Sequence, residues 1–268
     1  MLPTPPKAAP SLRICILEND DLESPLLERY SRVGAMFERL FAQAGFEGQI
    51  DTFSARHGQY PDRFDAYDAV LLTGSRADSF SDDPWVVALR ACVTQLLQDK
   101  RKLLGVCFGH QLIAHCLGAP VQRAPQGWRA GRQVYDWLGT PKQVGGAAGQ
   151  AVQIGLLASH QDQVLALPSG ATLLATHPDC PVAAYALGDQ VFCIQPHPEF
   201  TPDVSAFLLD KRRATLGESF YQTAMGSLSE PHDGLALARF MIHFVQYGLS
   251  AGPSPLATEM TENKPIPN

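Results

Sequence analysis

Six cysteines are spread along the 268 residues, and one of them stands apart. Cys107, in LLGVCFGHQLIAHCLG (103–118), lies where an apolar run ends and a helical pattern begins, with Gly105 and Gly109 two residues to either side. A tight strand-to-helix turn needs small neighbours. A side chain on such a turn is presented at the carboxyl end of a sheet, where open α/β sheets bind ligands. The helix that follows directs its N-terminal dipole and unspent N–H groups towards the thiol, which favours a thiolate and a developing oxyanion. The plainer reading of Cys107 is a small buried hydrophobe, the usual place of a free cysteine.

A cysteine nucleophile needs a base, and the base needs a group to orient it. Both occur far downstream in VFCIQPHPEF (191–200). His197 follows a strand-like run, Pro196 and Pro198 stiffen its backbone, and Glu199 comes two residues later. Residues two apart in an extended chain point to the same side, so the Glu199 carboxylate is placed to hold the His197 imidazole. A structural histidine in a proline turn is the alternative, and it leaves Cys107 without a base. His110 and His115 are five apart and do not share a helix face as a metal-binding pair would, so no metal and no cofactor are expected. Cys15, Cys92, Cys116 and Cys193 fall in apolar patterns and read as core. The absence of any C-x-x-C pair points to reduced thiols rather than a disulfide framework.

The elements that must position these groups are legible in the hydrophobic pattern. LRICIL, QIDTFSA, YDAVLLTG and RKLLGVCF read as four buried strands. Between them, RVGAMFERLFAQAG places Val33, Met36, Phe37, Leu40 and Phe41 on one helical face, with Gly45 just past its end. The next helix starts at Asp83, a capping residue, and Pro84, which suits the first helical position; Trp85, Leu89, Cys92, Val93, Leu96 and Leu97 recur along it. Alternation of this kind predicts an α/β fold, an open, mostly parallel sheet with helices on both faces. From Val121 the runs shorten and the C-terminal half becomes strand-rich, before helical patterns beginning at Thr201-Pro202 and over GLALARFMIHFVQYG. One domain over 12–248 is expected, flanked by disordered tails at 1–11 and 249–268, with TPKQVGGAAGQ (140–150) as a loop.

Bulk properties narrow the function classes. With 45% hydrophobic residues the chain can bury a large core. A formal charge of -6 and no basic stripe argue against nucleic acid as a partner. No apolar stretch approaches the roughly 18 residues of a membrane span, and prolines occupy the place of a signal peptide's apolar stretch. A cytoplasmic protein with no membrane partner is the simplest expectation.

Taken together, LLGVCFGHQ and IQPHPEF resemble the class I glutamine amidotransferases, whose signature is a G-x-C-x-G-x-Q turn and a distant H-P-E. The likeness extends over about Leu12 to Gly248 and is similar in detail to stand-alone members related to the glutaminase domain of GMP synthetase and to plant γ-glutamyl peptidases, through TGSRADSFSDDPWV and SHQDQVLALP. The resemblance implies a flavodoxin-like fold and assigns roles. Cys107 would attack a γ-glutamyl amide and form a thioester, His197 would act as base and acid, and Glu199 would orient it. Backbone N–H groups of Gly74 and Phe108 would form the oxyanion hole, while Gln111 and His160 would lie by the substrate. Where the family often carries two glycines at the oxyanion strand, this chain has Gly74-Ser75-Arg76, and its GW-x-x-G segment carries Arg129. Hydrolysis of a γ-glutamyl amine or peptide, or of glutamine, is the implied activity. The rivals are a glutaminase subunit feeding ammonia to a separate synthetase, and a silent binding module on the same fold.

Overall fold

The computed structural model describes residues 11–138 and 152–249; the 140–150 loop and nearly all of both expected tails lie outside the described residues. The chain opens with β1 (Arg13–Glu18), a short helix α1 (Leu26–Tyr30), α2 (Val33–Gln43) and β2 (Gln49–Ser54). β3 (Ala69–Leu72), α3 (Pro84–Gln98), β4 (Leu103–Val106) and α4 (Phe108–Cys116) follow. The strand-rich part comprises β5 (Val121–Arg123), β6 (Arg129–Trp137), β7 (Val152–His160), β8 (Asp162–Val164), β9 (Thr172–His177), β10 (Cys180–Leu187) and β11 (Val191–Ile194). Three helices close the chain: α5 (Pro202–Leu216), α6 (Glu218–Ser227) and α7 (Gly234–Tyr247).

One nine-stranded sheet, in the order β2-β1-β3-β4-β11-β10-β9-β6-β7, organises the molecule; β5 and β8 form a small separate pair. The run from β2 to β11 is parallel, and the rest is antiparallel. The alternating sequence of the first half thus builds four of the five parallel strands, β11 from the later part supplies the fifth, and the remaining strands of this sheet after Val121 add the antiparallel extension. Strands of the parallel part are covered on both faces, which explains why they read as continuous apolar runs. On β1, Ile14 and Ile16 enter one core with Phe37, Phe41, Phe240 and Phe244, while Cys15 and Leu17 enter the other with Leu89, Val93 and Leu112. α2 and α7 therefore cover one face, and α3 and α4 the other.

The helical readings hold with adjustments of phase. All five apolar residues expected on the α2 face are buried. The buried face of α3 is Val86, Leu89, Val93 and Leu96, with Trp85, Cys92 and Leu97 half-buried at its margins. Asp83 occupies the N-cap of α3, but its side chain makes no capping hydrogen bond; Pro84 at the first position makes the start. Thr201 does cap α5, its hydroxyl accepting from the Val204 N–H at 3.4 Å. Neither α1 nor α6 is apparent in the sequence pattern. α6 buries only Tyr221 and Ala224, against Ala130 and Leu209, too few contacts to write a period. Among the described residues no helix is long and apolar enough to cross a membrane. No three His, Cys, Asp or Glu side chains among them gather as a metal site would need.

Candidate active site

β4 is buried at every residue and runs parallel between β3 and β11. Its last ladder bond comes from the Cys107 N–H to the Ile194 carbonyl, at 2.9 Å. The chain then reverses at Cys107 itself, with φ 51° and ψ −101°, and the Cys107 carbonyl accepts the first bond of α4 from the Gln111 N–H at 3.0 Å. A positive φ at a residue with a side chain is strained, and such strain persists only where the surroundings enforce it. The enforcement comes from the flanking glycines. A methyl group on Gly109 would stand 2.4 Å from the Leu72 carbonyl oxygen, and one on Gly105 would stand 2.8 Å from the Gly109 carbonyl. Bare backbone lets α4 pack directly onto β3 and β4, and the thiol is left at the carboxyl end of the sheet. Trp85 of α3 stacks on Phe108 from outside, centroids 5.6 Å apart.

His197 reaches the same end from β11. After Ile194 the chain bends through Gln195 and Pro196, the His197 N–H donates to the Leu157 carbonyl of β7 at 2.8 Å, and Glu199 is reached by a turn rather than by the extended step expected from the sequence. The ring is fixed from two directions. Its Nδ1 lies 2.7 Å from Glu199 Oε1, and its face stacks on Phe200 with centroids 3.8 Å apart and planes within 9°. Nδ1 being engaged by Glu199, Nε2 is the nitrogen left for the Cys107 sulfur beside it. Burial would push this imidazole down, but the Glu199 carboxylate and the Cys107 sulfur outweigh it and raise the group to about 10. Gly74, after β3, completes the wall: a methyl group there would lie 2.8 Å from His197 Cε1 and 3.6 Å from Cys107 Cβ. Among the described residues, neither the Gly74 nor the Phe108 N–H is drawn into a hydrogen bond.

Cys107, His197, Glu199 and Gly74 border one cavity of about 270 Å³ at the carboxyl ends of β1, β3, β4 and β11. Part of its wall is charged. Asp20 receives the Arg76 N–H at 2.8 Å and its guanidinium at 3.0 Å, Glu23 pairs with both Arg76 and Lys211, and Arg212 stands nearby on α5. Another part is apolar, with Leu22 and Leu26 around α1, Met36 of α2, and Phe207 of α5. The spacing of the two motifs pointed to Cys107, His197 and Glu199, which the fold brings to this one cavity. The motifs carry no trace of Asp20 or Arg212, because a charged run such as DKRR on a helix reads as a solvated face.

Gln111 and His160 stand behind the cavity wall rather than on its lining. Gln111 Nε2 donates to the Asp162 carbonyl at 2.7 Å and to Gln195 Oε1 at 3.1 Å. His160 Nδ1 lies 3.1 Å from the same carbonyl, and burial lowers its imidazole to about 3. Gln111 thus ties α4 to the turn after β7, and His160 braces that turn from within. Arg129, the departure in the GW-x-x-G segment, is bound by Asp179, Gln133 and His177 and fastens β6 to the turn between β9 and β10.

The description "Glutamine amidotransferase class-I" belongs to the family model that matches residues 26–211. Gamma-glutamyl peptidase 3 of Arabidopsis thaliana is 35% identical over 184 residues, covering 66% of this chain and 74% of that protein. Gamma-glutamyl peptidase 5 of the same plant is 33% identical, covering 66% and 73%. Among solved structures, a glutamine amidotransferase from Thermotoga maritima superposes with a TM-score of 0.68 at 17% identity, covering 90% of this chain and 99% of that one.

Proposed function

The chain belongs to the class I glutamine amidotransferase family, and we propose that within it this protein hydrolyses a γ-glutamyl amide bond through a cysteine nucleophile. The observation that carries this reading is the convergence of three side chains on one cavity: Cys107 on the strained turn before α4, His197 facing it, and Glu199 bonded to His197. The relatives' name, gamma-glutamyl peptidase, supports the γ-glutamyl group as the acyl part.

In the first half-reaction the Cys107 sulfur attacks the γ-carbonyl carbon, and its proton passes to Nε2 of His197. Negative charge gathers on the carbonyl oxygen, for which the Gly74 and Phe108 N–H groups are the available donors. The C–N bond then breaks. His197 gives its proton to the departing nitrogen, and the acyl group remains on sulfur as a γ-glutamyl thioester. Glu199 and the Cys107 sulfur raise the resting imidazole, so it draws the thiol proton and keeps it until the departing nitrogen takes it. In the second half-reaction water gives a proton to His197 while its oxygen attacks the thioester carbon. The C–S bond breaks, sulfur regains the proton, and glutamate is released. Glu199 holds the ring so that Nε2 faces the sulfur throughout.

The apolar part of the wall supports a leaving amine that carries carbon, as in a γ-glutamyl amine or peptide, over ammonia from glutamine. Release of ammonia to a separate synthetase is the second reading, favoured by the matched family's name. Glutamate release from glutamine, γ-glutamyl dipeptides and γ-glutamyl alkylamides by purified protein separates them. Turnover of the larger amides, lost in Cys107→Ala, is the expected result. Turnover of glutamine alone would favour the partnered form, and no turnover of any of them would return the protein to a silent binding module.

A further inference from the structure

The cations of the cavity are not equivalent. Arg76 is held by Asp20 and Glu23, and Lys211 by Glu23. Arg212 is different. Its Nη1 donates to Ser159 Oγ at 3.2 Å and to the Leu208 carbonyl at 3.3 Å, and its guanidinium lies 4.7 Å from the centre of the Trp128 ring. These contacts are neutral. They fix the side chain without neutralising it, and no carboxylate among the described residues forms an ion pair with it. Arg212 is half-buried, lines the same cavity as Cys107 and His197, and its Nε and Nη2 donate to nothing among the described residues.

Asp20 and the Cys107 sulfur favour its charge from a distance, but a guanidinium taken partly out of water, immobilised by a ring and a hydroxyl, and left without a directly paired carboxylate is preorganised for one. Its planar fork matches a carboxylate, which it binds through two parallel N–H bonds. Every γ-glutamyl compound carries an α-carboxylate the same number of bonds from the carbon that the sulfur attacks, whatever amine departs. We propose that Arg212 binds the α-carboxylate of the γ-glutamyl group and so sets the acyl specificity of this site. This rests on the function proposed above. It also accounts for the neutral contacts: Ser159 and Trp128 hold the guanidinium in place while leaving its charge for the substrate. A carboxylate on the leaving amine is the other source of the same chemistry, and the test excludes it by using probes with no leaving amine.

The probes are 2-amino-4-oxo-5-chloropentanoate, a glutamine-shaped chloroketone that alkylates a thiol with loss of chloride, and its α-methyl ester. Alkylation of Cys107 is followed by mass spectrometry in the full-length protein. The wild type should prefer the acid to the ester, and Arg212→Gln should reduce that preference by about tenfold or more, the range for a hydrogen bond between charged groups. Arg212→Lys should retain part of it, since the charge remains and the fork is lost. Iodoacetamide reports on the folded site in each variant, and the ratio of acid to ester rates is insensitive to a general loss of thiol reactivity. An undiminished preference in Arg212→Gln would overturn the assignment while leaving the γ-glutamyl reading intact. Labelling of Cys107 by iodoacetamide but by neither chloroketone would overturn both.

Discussion

Gly109 passes so close to Leu72 that a methyl group on it would stand 2.4 Å from the Leu72 carbonyl oxygen. The consequence is that α4 rests on the end of β3 through backbone alone, and the turn at Cys107 has no room to relax. Gly109→Ala forces that contact apart. A destabilisation of about 1–3 kcal/mol, typical of overpacking, is expected in urea unfolding. Alkylation of Cys107 by iodoacetamide should change along with it, because the helix that positions the thiol has moved. Wild-type stability and labelling in this variant would mean that the close approach does not hold the turn.

The His197 imidazole gives stability on one side of the pH scale. Its folded-state value is raised from 6.5 to about 10, against burial, by the charges of Glu199 and Cys107. A raised group stabilises fully below its unfolded value and loses that contribution as pH rises, here from about 6.5 through about 10. The unfolding midpoint of the wild type should therefore decline across this window. Glu199→Gln removes the leading source of the rise and should flatten the decline. It should also move the titration of the His197 ring protons downward in an NMR pH series. An identical alkaline profile in the two proteins would contradict the coupling.

His110 and His160 act in the opposite direction. Both are buried and both are lowered to about 3, chiefly by burial, with the charge of His160 adding to the effect at His110. The folded protein keeps them neutral where the unfolded chain would protonate them. Stability is thus complete above 6.5 and is lost as pH falls from 6.5 through about 3. Unfolding at pH 5 should take up about two protons on account of these residues, measurable by calorimetry in buffers of different ionisation enthalpy. A midpoint that stays level from neutral pH to pH 4.5 would show that the two rings are not held neutral.

The legible and the hidden parts of the site differ in physical origin. Gly105, Cys107 and Gly109 act over one turn of chain, and His197 and Glu199 over one short turn, so their spacing records the local geometry. The same holds for the alternating runs that build the parallel sheet. Asp20 and Arg212 have roles only because loops and a helix from distant parts of the chain meet at the cavity, and no spacing records a meeting in space. Gln111 and His160 illustrate the reverse. Their motif is visible, but Gln111 is occupied with Asp162 and Gln195, holding α4 to the neighbouring turn, and His160 with Asp162 inside that turn. A short motif marks a needed residue without saying which face of the wall it serves.

Gly74 gives the sharpest separation of chemistry from stability. A methyl group there would lie 2.8 Å from His197 Cε1, a contact with the edge of the ring rather than with backbone. The ring has somewhere to go only by leaving its stack on Phe200 or its 2.7 Å bond to Glu199. Gly74→Ala should therefore unfold close to the wild type, within about 1–2 kcal/mol, since no β-strand is disturbed. Glutamate release should nevertheless fall by roughly 100-fold or more, through kcat rather than KM, because a misplaced base acts on the transition state. Steady-state kinetics beside a urea titration settles it: parallel losses of stability and rate would mean simple misfolding, and full activity would mean that the ring has room that this wall does not provide.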